Sequence, residues 1–419
     1  MSDVREDPPP PDHRRPHRRL AAARARAKCL LSPIDRFLSI EASSGIVLLV
    51  SAVLALCWAN SPWRAAYQNL INAPIGWRVA GFAFERSVEF FVNEGLMVVF
   101  FFVVGLEIKR ELHSGELSDR RRAALPALAA LGGMLAPAGI YLLFNAGTPA
   151  ADGWGVPMAT DIAFAVGALT LLGKRVPPAL RILLLALAVI DDLGAIIVIA
   201  LFYSGGIKIA ALGVAGAGIL LILLMQKLRF RSPWAYVIPG IVIWAGTLAS
   251  GVHPTIAGVA IGLCTPVRAP SGQDGPSPAE RVQQALHRWV AFGIMPVFAL
   301  VNAGVSVGDA RLTDGGATLL IGVVVGLAVG KPIGVMCASW IAVRAGVAAL
   351  PAGVRWSGVF VVGLVAGIGF TMALFIATLA FPPGPLIEVA KLGIMLASLV
   401  AGVIGLAAGR WLLPGRAQP

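Results

Sequence analysis

Residues 181–203 read RILLLALAVIDDLGAIIVIALFY, an apolar run with two adjacent aspartates, Asp191 and Asp192, near its middle. The run is long enough to cross a bilayer, because a spanning helix takes roughly 20 apolar residues. At ~1.5 Å per residue the pair lies ~15 Å into the run, near the membrane midplane. One carboxylate at that depth costs on the order of 2.5–3.5 kcal/mol. The pair is therefore predicted to bind a cation, to carry protons, or to do both.

The composition indicates an all-α polytopic membrane protein. Of its 419 residues, 57% are hydrophobic and 13% are charged, with a mean hydropathy of +0.81, whereas soluble domains average about 25% charged residues. The net charge is +12, and most of the Lys and Arg residues lie in short loops and in the first 36 residues. Membrane lipids, and not nucleic acid, are therefore the predicted partners. The four cysteines have neither paired nor metal-type spacing, and neither a disulfide, a cysteine metal site nor a cofactor is predicted.

Two regions are predicted. Residues 1–35 are rich in proline and arginine and are predicted to be a disordered, basic, cytoplasmic tail, followed by a transmembrane domain over residues 36–415. About twelve spans are expected in that domain. They cover approximately 43–60, 90–108, 123–145, 156–173, 181–203, 207–226, 234–250, 253–266, 288–306, 316–343, 355–381 and 386–412.

The loop charges predict the orientation of the chain. With the tail inside, 27 Lys and Arg residues lie on the cytoplasmic side and 5 on the other. Positive residues collect in cytoplasmic loops, so both termini are expected to be cytoplasmic. The sizeable external loop, 61–89, contains the partly alternating stretch WRVAGFAFE, which is compatible with a small β-hairpin as well as with an irregular loop.

Spans 3–5 and spans 10–12 enter the membrane from opposite sides, which is typical of inverted-topology repeats. The middle span of each triple is interrupted, by MATDIAFAVG in span 4 and by VAGIGFTMAL in span 11. Interrupted spans at corresponding positions of two repeats point to a binding site at the membrane midplane. We therefore expect two broken helices to meet there.

Four ionisable side chains are predicted deep in the membrane: Asp161, Asp191, Asp192 and Lys331. Asp161 follows Thr160 at the break in span 4, where it can cap a half-helix and also help to hold a cation. Asp191 and Asp192 are ~100° apart around a helix, so one can be paired while the other lines a cavity. Lys331 is expected to pair with one aspartate, because a lone buried ammonium is unfavourable.

Carboxylate oxygens suit Na⁺ or Li⁺, and burial favours their protonated form. A proton and a cation would then compete for one group, which is sufficient for exchange. Two other functions remain open from the residues alone. A passive cation channel also uses buried acids, and an intramembrane aspartyl protease could bring Asp161 and Asp191 together, although the chain lacks a GxGD motif. A transporter, and not an enzyme, is the favoured interpretation.

Five motifs in order resemble the NhaA family of bacterial sodium/proton antiporters. They are FFVVGLEIKREL at 101–112, ATDIAFAVG around Asp161, LALAVIDDLGAIIVIALFY around the aspartate pair, GKPIG with Lys331, and GIGFTM at 367–372. Inverted-topology repeats are themselves a known property of that family. The resemblance covers residues from about 35 to 412.

The resemblance implies twelve helices with two crossed, interrupted helices, in the bacterial inner membrane. It implies Asp192 as the main Na⁺ or Li⁺ ligand with Asp191 beside it, and Lys331 paired with Asp191. Asp161 and Thr160 would balance charge where the helices cross. The family's transport is electrogenic, with more than one proton moving in per sodium expelled, and its members form homodimers through an external hairpin.

The resemblance also implies a pH-response cluster, in which this chain departs from the family pattern. The cluster would contain Glu107, Arg110 and Gln283, and His253 is a further candidate because histidine titrates near neutrality. The family usually has Glu at Gln283, His at Gln284 and Lys at Glu280. An altered pH response is therefore expected.

Overall fold

The computed structural model describes residues 43–79, 82–228, 230, 233–267, 277–308, 312 and 315–413. The predicted disordered tail, 1–35, lies outside the described residues, as do residues 414–415 at the end of the predicted transmembrane domain. Helices make up most of the described chain.

The described residues form fourteen helices and two strands, with four 3₁₀ helices between them. The helices are α1 Ser43–Ala59, α2 Arg64–Ile71, α3 Val88–His113, α4 Arg120–Asn145, α5 Ile162–Leu171, α6 Pro178–Phe202, α7 Ile209–Lys227, α8 Val237–Ser250, α9 Thr255–Cys264, α10 Pro278–Asn302, α11 Gly316–Arg344, α12 Trp356–Ala366, α13 Phe370–Ala380 and α14 Pro385–Leu412. The strands are β1 Pro74–Val79 and β2 Phe82–Ser87, and the 3₁₀ helices are Glu116–Ser118, Ala151–Met158, Gly173–Arg175 and Pro233–Tyr236. Helices α3, α10 and α11 contain π-helical stretches at Phe91–Leu96, Val290–Ile294 and Gly326–Gly330.

The described helices have the lengths and composition of a polytopic membrane protein, which confirms that prediction. Seven of them are long and apolar enough to span a membrane alone: α3, α4, α6, α7, α10, α11 and α14. Helices α8 and α9 are shorter and apolar, and three further pairs of helices are separated by sharp bends. Helix α10 begins at Pro278, ten residues before the predicted span at 288–306, because Ser277 and Glu280 form a capping box there.

Two of the three bent pairs coincide with the interruptions expected from the sequence. The 3₁₀ helix Ala151–Met158 and α5 meet at 42°, and α12 and α13 meet at 47°. The third pair, α1 and α2, meets at 118°, a turn that sends α2 away from the direction of α1.

The predicted hairpin in the 61–89 loop is present. Strands β1 and β2 pair antiparallel from Pro74 opposite Ser87 to Val79 opposite Phe82. From the middle of β2, the ring of Phe84 makes an edge contact with the ring of Phe90, with 6.4 Å between the ring centroids. The hairpin is thus attached to the first turn of α3.

Helices α4 and α11 are in close backbone contact beside the aspartate helix α6. A Cβ on Gly334 would lie 2.0 Å from the carbonyl oxygen of Gly132, and a Cβ on Gly132 would lie 2.3 Å from that of Gly334. Small residues allow this approach between membrane helices. The contact brings Lys331, three residues before Gly334, within reach of α6.

Candidate cation site

The two helix breaks contact each other through a backbone amide and a hydroxyl group of the first. The amide of Asp161 donates to the carbonyl oxygen of Ile368 over 2.7 Å, and Thr160 Oγ1 donates to that of Ala366 over 2.9 Å. Both carbonyls lie where α12 ends, and carbonyls at a helix end need donors from outside the helix. The structure therefore brings Thr160 and Asp161 to the meeting point of the broken helices.

One carboxylate caps the N-termini of two helices. Asp161 Oδ1 accepts from the amide of Phe164 in α5 over 3.1 Å. Its Oδ2 accepts from the amide of Thr371 in α13 over 3.0 Å and also from the Thr371 hydroxyl. The positive ends of both helix dipoles thus face a single negative group, which is 1% exposed.

The adjacent aspartates of α6 face different surroundings. Asp191 Oδ2 lies 2.7 Å from Lys331 Nζ, and both side chains are fully buried. Lys331 Nζ also donates to the carbonyl oxygen of Met158, at the end of the 3₁₀ helix. The π-helical stretch of α11 ends at Gly330, immediately before this lysine.

Asp192 faces a cavity. Its Oδ1 is buried and has no hydrogen-bond partner among the described residues. The cavity has a volume of about 70 Å³ and is lined by polar and apolar side chains, including those of Asp192, Asp161, Thr371, Glu107 and His287. Asp191 and Lys331 are not among the described residues that line it. A hard cation reaching Asp192 would meet oxygen atoms, which are the ligands that such ions prefer.

Three of the four residues of the predicted pH-response cluster lie together, at one end of α3. Arg110 Nη2 is 3.7 Å from Glu107 Oε1, and Arg110 Nη1 donates to Gln283 Oε1 over 3.3 Å. Glu280, at the position where the resemblance implies lysine, accepts from the amide of Ser277 over 2.8 Å. That carboxylate is thus part of the cap that starts α10.

The structure does not bring His253 into this cluster. Its Nδ1 lies 3.7 Å from Glu94 Oε1. Glu94 precedes Glu107 by thirteen residues on α3, which corresponds to ~20 Å along a helix. Any effect of His253 on the cation site would have to act from the other end of α3.

Sequence reasoning missed two features of this region. The role of Thr371, within GIGFTM, is not among the predictions, although a hydroxyl residue just after a helix break is a recognisable capping signal. The reciprocal amide pair of Asn93 and Asn302 joins α3 to α10 through hydrogen bonds of 2.8 and 3.2 Å. Two separated asparagines give no pairing signal in a single sequence.

Comparison with known proteins gives consistent matches over nearly the whole chain. The sequence profile of the family described as Na+/H+ antiporter 1 matches residues 35–408. A protein named Na(+)/H(+) antiporter NhaA 2 from Myxococcus xanthus is 54% identical, over 92% of this chain and 91% of its own length. A protein of the same name from Sorangium cellulosum is 52% identical, over 93% and 92%. Na(+)/H(+) antiporter NhaA from an Acidovorax species is also 52% identical, over 90% and 92%.

Proposed function

Because the chain belongs to the Na+/H+ antiporter 1 family, we propose that it exchanges Na⁺ or Li⁺ for H⁺ across the bacterial inner membrane at Asp192. The observation that carries this proposal is the unpartnered Oδ1 of Asp192 beside a cavity, while Asp191 is held by Lys331. Asp192 is thereby left to receive an ion, and Asp191 to hold a positive charge when no ion is bound.

Competition between ions at the aspartate pair provides the exchange. A proton on Asp192 and a cation at its carboxylate exclude each other, because both need the same oxygen atoms. A cation that also draws on Asp191 weakens the ion pair with Lys331, and the desolvated ammonium then loses its proton more readily. The site opens to the other side of the membrane when it holds either a proton or a cation. Neither ion therefore moves down its gradient without the other moving back.

The two interlocked breaks suit a carrier better than a passive channel. We propose twelve spans, with inverted repeats formed by spans 3–5 and 10–12 and both termini in the cytoplasm. Thr160 and Asp161 join the broken helices, so the helix ends at the site move as one body. Electrogenic exchange is proposed from the family resemblance, and each net charge then gains ~2.3 kcal/mol per 100 mV of membrane potential.

Two accessory roles are also proposed. Glu107 lines the cavity of Asp192 and lies near Arg110 and Gln283, so these three residues are assigned the response to cytoplasmic pH. The β1–β2 hairpin is assigned to homodimer formation, because a two-stranded sheet is marginal alone and gains from a partner surface.

The test is ion exchange in proteoliposomes containing the purified protein and a pH-sensitive dye. Adding Na⁺ or Li⁺ on one side should move protons to that side, whereas K⁺ should not. Asp192→Asn should lower the rate by at least about 100-fold, because an uncharged amide neither titrates nor balances the cation's charge. Asp119→Asn is the matched control, since Asp119 is a half-exposed helix cap outside the cavity.

Two outcomes would contradict the proposal. Sodium flux without coupled proton movement would indicate a channel. Full exchange by the Asp192→Asn variant would remove Asp192 from the site even if the chain is an antiporter.

A further inference from the structure

The first turn of α13 finds hydrogen-bond acceptors in two different elements. Gly369 precedes the helix and has no side chain to cap it. Asp161, from the first break, accepts from the amide of Thr371 over 3.0 Å. The amide of Phe370, the first residue of α13, donates instead to Ser398 Oγ of α14 over 3.1 Å. Because the first amides of a helix have no acceptor within it, Ser398 serves a donor that Asp161 does not reach.

Helix α14 packs along the second break through one of its faces. Ser398 contacts the start of α13, and Gly405, about two turns further along the same face, packs against α12. A Cβ on Gly405 would lie 2.9 Å from Val365 Cγ2. Ser398 has the one polar side chain in residues 392–409, and it is 8% exposed. A buried hydroxyl in an otherwise apolar stretch of a membrane helix is typical of a hydrogen bond to a neighbouring helix, and here that neighbour is α13.

The amide that Ser398 binds is one residue from the cation site. Thr371 follows Phe370 directly, lines the cavity described above, and donates to Asp161 through its amide and its hydroxyl. The ring of Phe370 also meets the ring of Phe164 edge-on, with 5.0 Å between centroids, and the amide of Phe164 donates to Asp161 as well. A displacement of Phe370 would therefore disturb the cavity wall and the start of α5 together.

We propose that Ser398 is a positioning residue for the cation site: it fixes the first turn of α13 to α14, and so keeps Thr371 and Asp161 in place at the cavity of Asp192. Without the Ser398 hydroxyl, the Phe370 amide loses its acceptor, and a buried amide without an acceptor is unfavourable. The first turn of α13 then moves, and the carboxylate of Asp161 moves with Thr371. The wall of the cavity is displaced, so a cation binds more weakly. The proposal rests on the antiport function proposed above.

The test is the Na⁺ dependence of the exchange rate of Ser398→Ala in proteoliposomes. The apparent Na⁺ affinity should fall about fivefold, which corresponds to ~1 kcal/mol, the worth of one hydrogen bond. The maximal rate should stay within about twofold of the wild type, because Asp191, Asp192 and Lys331 are unchanged. A variant with the wild-type affinity that merely yields less folded protein would show a structural role and overturn the proposal.

Ser398→Thr and Ser398→Val separate the effect of the hydroxyl from that of side-chain fit. The two new side chains have nearly the same shape, and threonine alone carries a hydroxyl group. The threonine variant should therefore have an apparent Na⁺ affinity about fivefold higher than the valine variant. Equal affinities in this pair would contradict the proposal, even if Ser398→Ala fails to fold.

Ser250→Ala is the matched control. Ser250 is also buried, and its Oγ also accepts from a backbone amide, that of Val252, over 3.3 Å. It lies at the end of α8, and none of the described residues that line the cavity belongs to α8. Its apparent Na⁺ affinity should equal that of the wild type. A fivefold loss in this variant would show that any lost serine hydroxyl has the effect, and would overturn the proposal.

The double variant Ser398→Ala, Thr371→Val tests whether the two residues act together. Because Ser398 acts on the cavity through Thr371, the double variant should lose less affinity than the product of the two single losses. A loss equal to that product would contradict the proposal. Absence of exchange in the wild type would instead refute the antiport function, so the two failures are distinguishable.

Discussion

The two helix breaks differ in what they contribute to their contact. The first, between the 3₁₀ helix and α5, contains Thr160 and Asp161, whereas the second, between α12 and α13, reads Gly-Ile-Gly over residues 367–369. Helix α13 starts after Gly369, which has no side chain to cap it. The amide of its second residue, Thr371, is nevertheless capped by Asp161 from the other break, while the amide of Phe370 donates to Ser398 Oγ. The first break therefore supplies groups that form hydrogen bonds with the backbone of the second break.

The same asymmetry holds at the carbonyl ends. Ala366 and Ile368 receive their donors from Thr160 and Asp161, while the Met158 carbonyl of the first break is served by Lys331. The second break thus depends on the first, and damage to the first should loosen both.

The largest effect is expected for Asp161→Ala. This change removes the caps of α5 and α13 together. Each cap is worth about 1 kcal/mol, and hydrogen bonds to a charged group are worth more. The free energy of unfolding should therefore fall by roughly 3 kcal/mol. Exchange activity should be lost as well. Thermal unfolding in detergent measures the first effect, and the proteoliposome assay the second.

Asp119→Ala is the control for that change. Asp119 also caps a helix, but it serves one amide, that of Arg121, at the start of α4. Its loss should cost about 1 kcal/mol. Equal destabilisation by the two variants would mean that Asp161 does not act as a shared cap.

A smaller effect is expected for Thr371→Val. The variant loses the hydroxyl bond to Asp161 and keeps the amide bond, so a loss of about 1–2 kcal/mol is expected, with a weaker apparent Na⁺ affinity. Thr378→Val is the control on the same helix, because its hydroxyl donates within α13, to the carbonyl oxygen of Phe375. A change in Na⁺ affinity in the control as well would argue against a specific link to Asp161.

The smallest effect is expected for Thr160→Val. Its bond to the Ala366 carbonyl joins two neutral groups and is worth about 1 kcal/mol, so unfolding should shift slightly and exchange should persist at a reduced rate. Thr170→Val, which removes a bond internal to α5, is the comparison. If Thr160→Val were more damaging than Asp161→Ala, the shared carboxylate would not be the main connection between the breaks.

The breaks were predictable from the sequence because each puts glycine, threonine or a charge inside an apolar run. A lone buried ammonium is costly, so the sequence predicts that Lys331 pairs with an aspartate. The family resemblance implies that this aspartate is Asp191, and the structure has that pair. The second cap made by Asp161 was not predicted, since it exists only where two distant segments meet. The contact of Lys331 with the carbonyl oxygen of Met158 was not predicted either, because no pattern of side chains in the sequence reveals it.

Two local features show where sequence patterns were insufficient. Apolarity alone predicts a span from residue 288, whereas α10 begins at Pro278. Residues 278–289 are not apolar, although Ser277 and Glu280 have capping-box spacing. The sequence suggests His253 for the cluster of Glu107 and Arg110 on its titration chemistry alone. Its position beside Glu94 follows from how α3 packs against α9. The presence of a titratable side chain gives no information about that packing.

The glycine contact between α4 and α11 determines how mutational scans of this chain should be interpreted. A methyl group on either Gly132 or Gly334 would overlap the opposite backbone, so neither position accepts alanine unless the helices separate. Every substitution at these two sites should therefore score as inactive, with no bearing on ion chemistry. Such positions outline the architecture, and only losses of transport in normally folded variants identify residues that handle the ions.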